Sequence, residues 1–213
     1  MLGNLMRAHV LSQAIYHFGI RGTMTHKGRI LIATVSAAVA LAASVNSPAS
    51  AAESNFTDAK GDVRGGFDVR AVHVDNTGKW ITVKSHHRNL RYGPTVQTGG
   101  IALYLETVRH RSGPEFRFFG PVGFDGEPNL MRVRDWKPVG DPVFLRGQRF
   151  SVNYKRDVVR FAVTRGLLDR VYDHRVGKIR VAVRTAQAAP RGNKVRVDWA
   201  PGRERLFSAV PRG

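Results

Sequence analysis

The chain has 213 residues and no cysteine, and its 34 lysines and arginines stand against 16 aspartates and glutamates, a formal net charge of +18. Without cysteine there is neither a disulfide framework nor a thiolate metal site, so stability has to come from burial. The excess of positive charge favours an anionic partner over a cationic one.

The first element is a leader. Met24-Thr25-His26-Lys27-Gly28-Arg29 runs into an apolar stretch from Ile30 to Ala43, and Asn46-Ser47-Pro48-Ala49-Ser50-Ala51 follows. A basic segment, an apolar segment and an A-x-A site in that order make a secretory signal peptide over residues 24–51, with cleavage expected between Ala51 and Ala52. The apolar run is shorter than the about 20 residues that a spanning helix needs. Pro48 ends it just ahead of the small residues that a signal peptidase accepts. Residues 1–23 precede a signal that already begins well at Met24, so they are expected to be an extension upstream of the true start. The rival reading is a long n-region beginning at Met1. The expected product is secreted, has no stable membrane span and is a monomer.

Residues 52–213 then form one domain. They carry 30 basic and 16 acidic side chains, and 20 of the basic ones fall in residues 126–213 with only 8 acids. The rival to an anionic partner is an arginine-rich composition spread over solvated strand faces.

Period-two alternation dominates this region. Phe67 to Val74 reads as a strand, Asp75-Asn76-Thr77-Gly78 as a turn, and Trp80 to Lys84 as the returning strand. Ile101 to Glu106 and Phe116 to Phe119 follow, then Arg149 to Tyr154 and Val158 to Val163. Thr164 to Tyr172 is the one short helix, with Leu167, Leu168 and Val171 on its apolar side. Lys178 to Arg184 places Ile179, Val181 and Val183 on one face and Lys178, Arg180 and Arg184 on the other, and Val195 to Trp199 repeats the pattern. Short strands punctuated by Gly and Pro, with no room for crossover helices, predict an all-β antiparallel β-sandwich.

Three segments carry a resemblance: Asp58-Ala59-Lys60-Gly61-Asp62 with Phe67-Asp68-Val69 and Val72-His73-Val74; Tyr104-Leu105-Glu106-Thr107 with Ser112-Gly113-Pro114-Glu115-Phe116; and Asp198-Trp199-Ala200-Pro201-Gly202. Together they resemble a group of small secreted actinobacterial proteins without assigned function. Their order is distantly similar to the DOMON and family 9 carbohydrate-binding sandwiches. Glu106 stands where the pattern has Asp, and axial Met and His ligands of heme-binding DOMON members have no matching positions. The resemblance implies a jelly-roll-like sandwich with structural calcium and a ligand face.

Among the residues themselves, Asp58, Asp62 and Asp68 are the best metal candidates. Carboxylates on a glycine-containing turn suit the hard-oxygen shell of calcium. Asp75, Glu106 and Asp198 are further donors if strands bring them near. The alternative is that Asp58 and Asp62 close Asx turns while Asp68 bonds nearby backbone. His73, His86, His87 and His110 invite zinc or copper, but adjacent residues on a strand face opposite ways, so His86 and His87 are not expected to share an ion.

No G-x-S-x-G elbow, phosphate loop or catalytic cysteine is present. Glu106 and Glu115 are the carboxylate pair that a glycosidase would need, with Asp198 as a further candidate. Arg132, Arg134, Arg160, Arg180, Arg184 and Arg196 lie on the polar side of predicted strands and would make a basic plate if those strands shared one sheet. Tyr154, Trp136 and Trp199 are nearby rings that can stack on sugars or fill a core. The expectation is a non-enzymatic module for an anionic or glycan ligand of the cell wall or exterior. A glycan-directed hydrolase and a structural, partner-binding protein are the alternatives, and nucleic acid is the weaker anionic partner.

Overall fold

A computed structural model describes residues 52–92, 99–107, 113–143, 146–172, 175–189 and 194–213. The expected leader at 24–51, the residues before it, and His110 lie outside the described residues. Eleven strands and one helix follow in order: β1 (Glu53–Thr57), β2 (Asp68–Asp75), β3 (Trp80–Arg88), β4 (Gly99–Glu106), β5 (Phe116–Val122), β6 (Asn129–Arg134), β7 (Lys137–Val143), β8 (Gln148–Asn153), β9 (Val158–Thr164), α1 (Arg165–Tyr172), β10 (Arg180–Ala188) and β11 (Val195–Ala200).

The strands form two antiparallel sheets, ordered β1-β2-β3-β9-β8 and β11-β10-β4-β5-β6-β7. Alternating apolar residues line their facing sides, and these meet in one core. Val72, Val83 and Phe161 come from the first sheet, Leu103, Phe118 and Val183 from the second, and all are at most 1 % exposed. Phe118 and Phe161 join the layers directly, ring centroids 5.3 Å apart and edge to face. Burying side chains of this size is worth about 1.5–3 kcal/mol each before the entropy of ordering them. The all-β antiparallel sandwich is the fold that the alternation predicts.

Three strands, β1, β6 and β7, lie outside the set that the sequence patterning predicts. β1, with the sequence ESNFT, has one large apolar residue and lies at an edge. β6 follows a loop and has a register shift between Leu130 and Arg132 that interrupts its alternation. β7, KPVGDPV, has two prolines and a glycine and reads as a loop. It is tolerated as a strand because it too is an edge, where a missing backbone donor faces away from any ladder.

Arg165, 5 % exposed at the start of α1, ties the β2–β3 turn to the chain after the helix. Its Nε donates to Gly78 O (2.8 Å), Nη1 to Val176 O (2.9 Å) and Nη2 to Asn76 O (2.7 Å) and Asn76 Oδ1. Asn76 in turn donates from Nδ2 to Gly177 O and Val210 O. One rigid guanidinium thus serves backbone carbonyls from three separate points of the chain.

Candidate functional site

The six arginines expected to form one plate are distributed over the molecule. Arg132, Arg180, Arg184 and Arg196 belong to the second sheet and Arg160 to the first. Arg132 donates to Val171 O, and Arg134 sits at the β6–β7 turn, opposite Lys137. Arg180 pairs with Glu106 at 3.2 Å, and Arg196 donates to Gly65 O at 2.6 Å. Arg184 lies over Trp199, 5.6 Å from the ring centroid. Among the described residues, Arg134, Arg160 and Arg184 keep guanidiniums that no hydrogen bond or ion pair engages.

The rings expected beside them are also committed. Trp136 and Trp199 pack on Tyr104 at centroid distances of 5.2 and 5.4 Å and on each other at 5.5 Å. With Ala102, Val133 and Ala182 they make a small apolar cluster on the outer face of the second sheet. Burial raises the Tyr104 hydroxyl above its ordinary range, which the nearby Arg117 and Arg184 partly oppose. Tyr154 accepts a hydrogen bond from Gly123 N and tilts against Tyr92.

A cationic surface does form, on the outer face of the first sheet, and it uses mostly residues that sequence reasoning passed over. Register places His73 opposite Lys84 and Lys84 opposite Arg160 across β2, β3 and β9. Arg149 of β8 lies over the Trp80 ring, 4.5 Å from its centroid. Two shallow grooves of about 300 and about 440 Å³ share Lys79, Trp80 and Arg149; Arg160 lines the first, and Arg146 and Arg170 the second. Lys79, Lys84, Arg146, Arg149, Arg160 and Arg170 are all exposed. Among the described residues none of the six side chains has an ion pair or a hydrogen bond. Asp75, the acid in the first groove's wall, already accepts from Thr77 N and Oγ1. Like charges opposite one another on a sheet repel, so this surface is arranged at some cost to the folded chain. The signal that could have found it is Lys84 and Arg160 at outward positions of two strands that turn out to be neighbours.

The second constellation is acidic and lies where β2 meets β11. Ligand oxygens of Asp58, Asp62 and Asp198 are within 4.8 Å of one another. Two of the three expected metal ligands are therefore together, and the third place is taken by Asp198. Asp68 stands beside them, held by Arg70 Nη2 at 2.8 Å and by Gly61 N at 3.3 Å. A register shift between Val69 and Ala71 leaves Arg70 without a partner on β3. Asp198 accepts from Val69 N and from its neighbour Trp199 N, both at 2.7 Å. Burial, with the negative charge of Asp198 next in weight, pushes the Asp58 carboxyl up to about 6. Burial also raises Asp68 and Asp198 above the usual carboxylate range.

The remaining candidates have structural partners. Glu106 is held by Arg180, and Glu115, 1 % exposed, accepts from Thr107 N at 2.6 Å. His86 is exposed while His87 is buried, so the two face opposite ways and share no ion. His87 Nε2 meets Ser85 Oγ at 2.7 Å, and His73 Nδ1 meets Asn55 Oδ1 at 2.8 Å. No described helix is long and apolar enough to cross a membrane. No family model matches the chain, and no curated protein is significantly similar to it.

Proposed function

We propose that the protein is exported and binds an anionic polymer of the cell exterior, a wall polymer or an acidic polysaccharide, through the outer face of its first sheet, without catalysis. The observation that carries this reading is the group of six exposed cations around Trp80, none of them engaged by an acid among the described residues. Arginine suits planar, bidentate recognition of carboxylate and phosphate. Trp80, half-buried beneath Arg149, supplies an apolar wall on which a sugar ring can rest. The leader at 24–51 supports export, and a jelly-roll-like course, with three crossings between the sheets, belongs to the same reading.

Sedimentation with purified cell wall across a salt series is the test. Retention is expected at low salt and should decline as screening increases. The double variant Arg149→Glu, Arg160→Glu is expected to lose at least tenfold in retention while keeping the parent melting temperature, because both side chains are exposed. Absence of retention at low salt, or a double variant that binds like the parent, rejects the assignment.

A further inference from the structure

Two oxygens bound to one calcium ion at 2.3–2.6 Å are at most about 5 Å apart. The ligand oxygens of Asp58, Asp62 and Asp198 meet that limit, lying within 4.8 Å of one another. A separate observation points the same way. Asp68 is 2 % exposed, yet its Oδ1 is buried and has no hydrogen-bond partner, and Asp58 Oδ2 is in the same condition. Asp68 is tied to the loop that carries Asp58 and Asp62 through Gly61 N at 3.3 Å, and its negative charge acts on both Asp58 and Asp198. Among the described residues the one ion pair that reaches these four carboxylates is Arg70 with Asp68. Buried carboxylate oxygens that lack donors are costly, and a cation removes that cost where no proton donor is at hand.

We infer that Asp58, Asp62 and Asp198, backed by Asp68, form a binding site for a hard divalent cation, calcium by the chemistry of the donors, that fastens the loop before β2 to β11. All four side chains offer oxygen and none offers nitrogen or sulfur, which selects against zinc and copper. Several carboxylates on a loop with glycines at positive φ, Gly61 and Gly65, suit the variable geometry of calcium better than the strict octahedron of magnesium. The two oxygens of Asp198 that accept backbone N–H groups retain lone pairs for a metal. Because β2 and β11 belong to different sheets, the ion would act as a clamp between layers in a chain without disulfides. The clamp would reinforce the Val69 N to Asp198 Oδ2 and Arg196 Nη1 to Gly65 O bonds already there. This inference does not rest on the anionic-polymer reading.

The test is thermal melting of the chelator-treated protein, residues 52–213, with and without millimolar calcium. Terbium luminescence excited through Trp199, next in sequence to Asp198, gives a second, direct readout. Calcium at a hundredfold excess over its Kd is expected to raise the melting temperature by about 5–10 °C, and it should displace terbium. Asp62→Asn, at an exposed position, and Asp58→Asn are each expected to abolish both responses. Their metal-free melting temperatures should be no lower than that of the metal-free parent, since each removes a negative charge from the cluster. A parent whose melting temperature is unmoved by calcium, or variants that retain the full shift, overturn the inference.

Discussion

His87 shows how one buried side chain sets a pH dependence. It is fully enclosed, and burial, aided by the neighbouring charge of His86, lowers its pKa from the usual 6.5 to about 3. The folded protein therefore holds the ring neutral, while the unfolded chain binds a proton below pH 6.5. The unfolded state takes up more protons in the window from about 3 to 6.5, so stability falls as pH falls through it. The slope from this group alone is about 1.4 kcal/mol per pH unit where the two states differ fully. Urea unfolding of the parent and of His87→Phe at pH 7 and pH 5 checks this. The parent should lose more stability between the two pH values than the variant does. Taking the difference removes the opposite trend of Asp58, whose raised pKa favours the folded state on acidification.

At the scale of elements, close approach of the sheets depends on particular small residues. A Cβ on Gly120 of β5 would stand 2.1 Å from Phe150 Cε2 on β8, and Phe150 packs on Phe161 at 5.3 Å. Gly120→Ala is expected to displace that ring and lower stability by about 1–3 kcal/mol, read from the urea midpoint. Equal midpoints for variant and parent would mean that Phe150 moves aside at no cost. The sequence showed β2, β3, β4, β8, β9, β10 and β11 by their apolar patterning, β5 by its aromatic residues, and the helix with Leu167 and Leu168 inside. It did not show β1 and β7, because an edge strand with one large apolar residue or two prolines has no periodicity to read. The candidate sites were legible in the same uneven way. Asp58 and Asp62 stand four residues apart in one loop and invited a metal reading. Asp198 joins them only through the β2–β11 contact, which no local pattern encodes. The arginine plate failed for the converse reason. Outward-facing is a local property, but Arg160 and Arg184 face outward from opposite sheets.

For the molecule as a whole, charge and cross-layer ties are separable. The cations around Trp80 occupy one outer surface, while the aspartates sit at the corner of β2 and β11, so the proposed polymer binding and the proposed calcium response are expected to vary independently. The core between the sheets has no covalent link, so burial and hydrogen bonds between the layers, among them Val69 N to Asp198, Arg196 to Gly65 O and Gly123 N to Tyr154, hold them in register. Asn76 has one more role. Its backbone N–H donates to Ala52 O at 2.7 Å, and its carbonyl accepts from Gly213 N at 3.4 Å. Ala52 and Gly213, the first and last described residues, are thus neighbours on one turn, and the path from 52 to 213 is nearly a closed ring. Such a ring can be opened elsewhere. A circular permutant with Gly213 joined to Ala52 through a short Gly-Ser linker and new ends between the exposed Asp125 and Gly126 is expected to melt within a few degrees of the parent. A permutant that fails to fold would mean that the order in which the strands leave the ribosome matters as much as where they finish.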